Sequence, residues 1–176
     1  MTFREKTIVL VGLMGAGKTR VGIELSRLLG RPFIDSDREI EHAAGMPIAD
    51  IFDIYGETEF RKGEEKVMLR LLSEGGSVLA SGGGAFIQPG IRAAILDKAV
   101  SIWLKADLET LLERTSRSDH RPLLQGGDPA AKLKALMQAR DPIYAQADIT
   151  VVTDDQSPRD MAKKIAGELE KRNMLP

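Results

Sequence analysis

The octapeptide Gly12-Leu-Met-Gly-Ala-Gly-Lys18-Thr19 stands between a short apolar run, residues 7–11, and an amphipathic stripe of Val21, Leu25, Leu28 and Leu29. The pattern G-x-x-x-x-G-K-[ST] requires a strand, a glycine-rich turn and a helix in that order, and both flanks comply. Small residues at Gly15, Ala16 and Gly17 let successive N–H groups curl around phosphate oxygens, and a helix beginning near Lys18 aims its positive end at them. Lys18 then reaches the β- and γ-phosphates, and the Thr19 hydroxyl can ligate Mg²⁺. The plain alternative, a glycine-rich turn with an exposed lysine, explains neither flank.

A phosphate loop of this kind belongs on a parallel sheet, and the rest of the chain alternates accordingly. Short β-branched runs at 7–11, 33–35, 77–80, 100–104 and 149–152 are too brief for helices and too apolar for surface strands, so they predict five buried parallel strands. Between them lie stripes with helical spacing: Ile48, Ile51, Phe52, Tyr55; Phe60, Glu64, Val67, Met68, Leu71, Leu72; and Leu108, Leu111, Leu112, Thr115. Pro47, Pro89, Pro129 and Pro158 suit first helical positions, Asp107, Asp128 and Ser157 suit caps, and Gly45, Gly56 and Gly75-Gly76 suit helix ends. The expectation is a three-layer α/β sandwich formed by one domain, 1–176. Residues 36–72 hold about three helices, more than a crossover needs, which predicts a substrate-holding flap over the strand ends. Residues 116–128 are polar, aperiodic and carry a glycine pair, which predicts a lid.

Composition narrows the partners. Of 176 residues 43% are hydrophobic, enough for a full core, and 25 Lys+Arg against 26 Asp+Glu leave a net charge of −1. That balance gives no broad attraction to nucleic acid or anionic membrane, so anions must be gripped locally. With no cysteine, disulfides, thiolate metal sites and cysteine nucleophiles are excluded. The apolar run Ile8 to Val11 is far short of a signal-peptide core or a membrane span, and the expected location is the cytoplasm.

Neighbouring residues sort the nucleotide-binding classes. The only Asn is Asn173, so the guanine-reading Asn-Lys-x-Asp signature is impossible and a GTPase is out. The run at 77–80 ends in Ser81-Gly82-Gly83-Gly84, where a Walker B strand would present an acid. Acids stand instead in Phe33-Ile34-Asp35-Ser36-Asp37, two residues apart at a strand end: Asp35 for the Mg²⁺ shell through water, Asp37 for an acceptor hydroxyl, or else as a helix cap. Arg140 completes a stripe with Leu133, Leu136 and Met137, placing a guanidinium on a face meant for burial. A protein acid and a substrate carboxylate satisfy it equally, and Arg61 has the same two options, with Glu64 or Glu65 as protein partners. Arg117 and Arg121 can bring charge to the phosphoryl group from the lid, though a loop arginine is more commonly solvated. His42 and His120 lack partners at metal-binding spacing and are expected to face solvent, and Trp103 and the methionines to fill the core.

Together these pieces resemble the shikimate kinases, which phosphorylate the 3-hydroxyl of shikimate with ATP and Mg²⁺ in the chorismate route to aromatic amino acids. Seven blocks carry the resemblance: 12–19, Gly-Arg-Pro-Phe-Ile-Asp-Ser-Asp at 30–37, Ile-Phe at 51–52, Gly-Glu-Thr-Glu-Phe-Arg at 56–61, Ser-Gly-Gly-Gly at 81–84, Arg-Pro-Leu-Leu at 121–124 and Arg-Asp-Pro-Ile-Tyr at 140–144. The resemblance implies a five-stranded parallel sheet of order 2-3-1-4-5, a shikimate-binding region near 36–64, a lid near 116–128 and a monomer. It also implies that Asp37 contacts the shikimate hydroxyls, that Arg61 and Arg140 hold its carboxylate, and that Gly82, Gly83 and Gly84 approach the ring through their backbone. Gly15, Ala16, Gly17, Lys18, Thr19 and Arg20 match the phosphate-binding segment, with Thr19 and Asp35 toward the metal. Arg121 matches the lid arginine, and Arg114, Gln156 and Pro158 border the adenine. Thr19 replaces a more usual Ser, and either hydroxyl serves the metal. The competing readings are another small-molecule kinase such as gluconate kinase, against which Arg61, the triple glycine and the Arg140 block speak, and a non-catalytic nucleotide-binding module, against which Lys18, Asp37 and Arg121 speak.

Overall fold

Each apolar run forms a strand in the computed structural model, which describes residues 6–117 and 126–175. Strands β1 (Thr7–Val11), β2 (Phe33–Asp35), β3 (Val78–Ala80), β4 (Ala99–Lys105) and β5 (Ile149–Val152) make one all-parallel sheet of order β2-β3-β1-β4-β5, as expected. β1 is central: Val9 stands opposite Leu79 of β3 and Ser101 of β4. All five β1 residues and six of the seven in β4 are buried, because a strand inside a parallel sheet has helices over both faces. β4 reaches one residue further at each end than the expected 100–104, and β3 begins one later than 77. Asp148 ties the edge of the sheet down, its Oδ2 accepting from the N–H and hydroxyl of Ser101 at 2.8 and 2.7 Å.

The helices follow the stripes. α1 (Lys18–Leu29) lies against β3 and α7 (Pro158–Lys171); α3 (Ile48–Glu74) lies against α2 (Ser36–Ala44) and α4 (Pro89–Lys98); α5 (Leu108–Ser116) packs on α6 (Pro129–Tyr144). Val21, Leu25, Met68, Leu71, Ile95, Leu111 and Leu133 supply one continuous apolar core with the strands. Three caps fall where the residue types suggest: Asp107, Asp128 and Ser157 each accept a backbone N–H in the first turn of α5, α6 and α7. Pro89, Pro129 and Pro158 occupy first helical positions, but Pro47 precedes α3 as its N-cap. Since proline offers no capping side chain, Glu41 of α2 reaches across and accepts the Ile48 N–H at 2.9 Å. Gly56 leaves helical geometry at φ 81°, ψ 172° and breaks α3 in two, so residues 36–74 do hold three helical segments. Two stripe residues face outward instead of inward, Leu28 at 51% and Tyr55 at 58% exposure.

Because all strands run the same way, their carboxyl ends share one edge, and the loops after Val11, Asp35, Ala80, Lys105 and Val152 gather there. That edge is where an open parallel sheet binds ligands. Of the expected lid, 116–128, the end of α5 and the cap of α6 are described; 118–125, with His120 and Arg121, lie outside the described residues. Among the described residues no helix is long and apolar enough to cross a membrane.

Candidate active site

A cavity of about 610 Å³ opens along the carboxyl edge, with the 12–19 loop at its centre. Gly17 caps α1 at φ 94°, a left-handed conformation that an L side chain strains, and this turn lets the chain pass from strand to helix around a concave row of N–H groups. Lys18 folds back over the loop, its Nζ donating to the Gly12 and Leu13 carbonyls at 2.5 and 2.9 Å. Thr19 and Arg20 line the same wall and are exposed. The Thr19 hydroxyl donates to Asp35 Oδ2 at 3.2 Å.

Asp35 and Asp37 both line the cavity, but not as two positions of one strand. The strand ends at Asp35, which is the N-cap of α2 and accepts the Asp37 N–H through Oδ1 at 3.0 Å; Asp37 lies in the first helical turn. The capping role considered for Asp37 is thus filled by Asp35, and the Asp37 carboxylate turns instead toward the loop after β3. A Cβ added at Gly82 would lie 2.8 Å from Asp37 Oδ1 and 3.1 Å from Glu64 Oε1. Burial, then the charge of Asp35, push the Asp37 carboxyl above the ordinary range, while Lys18 pulls against the shift.

The same loop meets both arginines. A Cβ at Gly84 would stand 2.5 Å from Arg61 Nη1, so the guanidinium rests directly on the glycine backbone. Arg61 is held from behind by Glu64, Nη1 to Oε2 at 2.7 Å, and more loosely by Glu57 at 3.5 Å. Of the two readings open for Arg61, a protein partner is therefore realised, without closing its remaining donors to a ligand. The Glu64 side chain is 1% exposed and also accepts from Gln88 Nε2 at 2.5 Å. Burial raises its pKa, against the pull of Arg61. Arg140 differs: among the described residues it has no carboxylate partner, and its Nη1 reaches the Gly83 carbonyl only at 3.5 Å. Tyr144, one turn further along α6 and fully buried, donates its hydroxyl to that same carbonyl. The site so brings Asp37, Arg61, Arg140 and Gly82 to Gly84 together, and adds Glu64, Gln88 and Tyr144 as supports.

At the other end of the cavity Arg114 of α5 donates to the Ala16 carbonyl at 3.1 Å and to Gly15 and Asp154 at 3.4 Å, bridging the phosphate loop and the segment after β5. Gln156 and Pro158 line this end, brought there by the Ser157 cap of α7. Thr153 lines it too, and its buried hydroxyl finds no partner among the described residues. Arg117 pairs with Glu113 at 2.9 Å and is 75% exposed, the solvated state anticipated for a loop arginine. His42 is exposed on α2. Trp103 is buried, its ring stacked toward Tyr144.

The glycine strip, two arginines and a carboxylate beside a phosphate loop suit a kinase of a small carboxylated alcohol, and comparison with known proteins is specific. A family model described as shikimate kinase matches residues 14–170. The chain belongs to the shikimate kinase family. It is 55% identical over 152 residues to the shikimate kinase of Caulobacter vibrioides, covering 86% of this chain and 76% of that one. The solved shikimate kinase from Acinetobacter baumannii in complex with shikimate matches at a TM-score of 0.92 and 43% identity, over 96% of this chain and 94% of that one. A gluconokinase from Sinorhizobium meliloti matches at a TM-score of 0.58 and 20% identity, over 97% and 94%, a likeness of fold alone. As a shikimate kinase family member the chain is an ATP-dependent kinase, which supports the main sequence reading over the gluconate kinase and non-catalytic alternatives.

Proposed function

We propose that the chain transfers the γ-phosphoryl group of ATP to the 3-hydroxyl of shikimate, giving shikimate 3-phosphate and ADP in the cytoplasm. The observation that carries this reading is the convergence of Asp37, Arg61 and Arg140 on Gly82 to Gly84, immediately beside the 12–19 loop. A polyol ring lies flat against backbone that carries no side chains, its carboxylate meets the two guanidinium groups, and its hydroxyl faces Asp37. The nucleotide spans the remainder of the cavity, with phosphates on Gly15 to Arg20 and adenine near Arg114, Gln156 and Pro158.

The donor set at Thr19 and Asp35 is one hydroxyl and one carboxylate, hard oxygen ligands that suit Mg²⁺ retaining most of its water, and among the described residues no larger His or carboxylate cluster competes. Bound there, Mg²⁺ would neutralise charge on the β- and γ-phosphates. Lys18 exchanges its loop carbonyls for phosphate oxygens. Asp37, next to Lys18 and poised by burial to hold a proton more readily than an ordinary carboxylate, orients the acceptor hydroxyl and takes its proton as transfer proceeds. Arg121 is assigned to the transferring phosphoryl group on sequence alone. The region 36–64 acts as the acceptor-binding part of a single domain working as a monomer, with 116–128 as its lid. ADP release measured with shikimate, gluconate, nucleoside monophosphates and no acceptor tests the reading. Acceleration by shikimate alone is expected, and acceleration by gluconate or a nucleotide without shikimate overturns it.

A further inference from the structure

We propose that Tyr144 is a positioning residue for the acceptor: its hydroxyl occupies the Gly83 carbonyl and thereby leaves the Arg140 guanidinium turned toward an incoming carboxylate. The proposal rests on the shikimate reading above. Tyr144 is fully buried, with its ring stacked between Phe86, at 6.3 Å between centroids, and Trp103, at 6.0 Å. Such packing fixes the phenol oxygen, and burial pushes its pKa to about 12, so it stays a donor across the working range. Its acceptor, the Gly83 carbonyl, also lies 3.5 Å from Arg140 Nη1, the outer limit of a hydrogen bond. The Tyr144 oxygen itself stands within reach of the same guanidinium, so it both occupies the carbonyl and holds Arg140 off it.

The arrangement is a competition that Tyr144 wins. A part-buried carbonyl seeks a partner, and leaving one unmade is costly. If the phenol oxygen is removed, the closest donor is the Arg140 guanidinium, and an ordinary hydrogen bond of about 2.9 Å draws it about half an ångström toward Gly83. The charge then serves the protein's own backbone and stands away from the substrate carboxylate. Gly83 stands between the two partners of such a shift: a Cβ built on it would meet Met14 N at 3.5 Å and Arg140 Nη1 and the Gly12 carbonyl at 3.9 Å, ordinary contact distances, so the strip borders both the guanidinium and the phosphate loop.

The test is a double-mutant cycle on steady-state kinetics with shikimate varied, using Tyr144→Phe, Arg140→Ala and the double variant, at a temperature where melting curves show all four proteins folded. Tyr144→Phe keeps the ring between Phe86 and Trp103 and loses only the oxygen. It is expected to raise the shikimate KM by about three- to tenfold, the scale of one ordinary hydrogen bond, while kcat and the ATP KM hold. In the Arg140→Ala background the same change is expected to leave the shikimate KM where it was, because Tyr144 acts through the guanidinium. An unchanged KM in Tyr144→Phe, or an equal rise with and without Arg140, overturns the proposal even though the wild type turns shikimate over. A wild type that releases no ADP with shikimate overturns the shikimate reading itself.

Discussion

Arg61 and Arg140 flank one glycine strip but are held in opposite ways, and the difference is measurable. Arg61 neutralises Glu64, a carboxylate that is 1% exposed, so Arg61→Ala strands a buried charge and is expected to destabilise the substrate-free protein by about 3–5 kcal/mol, less if Glu64 takes up a proton. Arg140 has no carboxylate among the described residues, only a long contact to the Gly83 carbonyl and the Tyr144 hydroxyl beside it, and Arg140→Ala is expected to cost about 1 kcal/mol or less without substrate. Melting curves without shikimate separate the two; equal losses would contradict this division. Asp37 carries the opposite sign. Its folded pKa is raised, first by burial and then by Asp35, so its ionised form subtracts stability at neutral pH and protonation restores it as pH falls through the raised value. Asp37→Asn is therefore expected to melt at or above the wild-type temperature at pH 7, with the gap closing between the raised pKa and the usual value of about 3.9. Turnover should drop by about 10² to 10⁴, and the acid limb of the wild-type rate should lie above the usual carboxylate range. A lower melting temperature for Asp37→Asn at neutral pH would mean that the carboxylate serves the fold.

At the scale of elements, the loop after β3 is where the proposed acceptor site and the packing of α3 meet. Gly84→Ala puts a methyl where the Arg61 guanidinium rests, and the obstacle is the end of a side chain, which can swing aside without unravelling the loop. The variant is expected to fold, with a lower melting temperature than wild type because the displaced Nη1 is also the atom paired with buried Glu64, to keep its ATP KM and to raise its shikimate KM by about tenfold or more, corresponding to most of a charge-assisted contact of about 1.5–3 kcal/mol. A normal shikimate KM would place the substrate carboxylate elsewhere. The elements themselves were legible because they are written locally: Thr7 to Val11 and Val100 to Leu104 are β-branched runs buried on both faces, and Asp107, Asp128 and Ser157 cap the turns directly after them. Arg140 was legible as a cation on an apolar helical face for the same reason. What the pattern does not encode is which distant group meets which. Gln88 reaches Glu64 across 24 residues and Tyr144 reaches Gly83 across 61, contacts that exist only once the strand order has been set. Gln88 therefore draws no attention in the sequence, Tyr144 enters only as the end of the 140–144 block, and Glu64 is one of two candidate partners for Arg61. Leu28 and Tyr55 mislead in the other direction, since helical spacing cannot tell a covered face from an open one.

For the whole molecule, the order β2-β3-β1-β4-β5 splits the ligand-binding edge into two halves that meet at β1. On the reading proposed above, the loops after β2 and β3, with α3 and the end of α6, form the acceptor side, and the loop after β1, α5 and the segment after β5 form the nucleotide side. Both halves sit on one continuous core, so binding at either is felt by the unfolding of the whole. A ligand at about a hundred times its Kd adds about 2.7 kcal/mol. At roughly 2–4 °C per kcal/mol for a chain of this size, that is a rise of about 5–11 °C in melting temperature. ATP with Mg²⁺ and shikimate are each expected to give such a rise alone. Because the hydrogen bonds found for Lys18 are to phosphate-loop carbonyls and Arg140 stands beside Gly83, on the proposed reading Lys18→Ala should erase most of the ATP shift and keep most of the shikimate shift, and Arg140→Ala should do the reverse. The Lys18 variant should also lose about a hundred- to thousandfold in kcat, as for one preorganised donor on the phosphoryl group. If either substitution removes both shifts, the halves are not separate sites on a shared frame, and the acceptor strip must be assembled by the nucleotide rather than standing ready before it arrives.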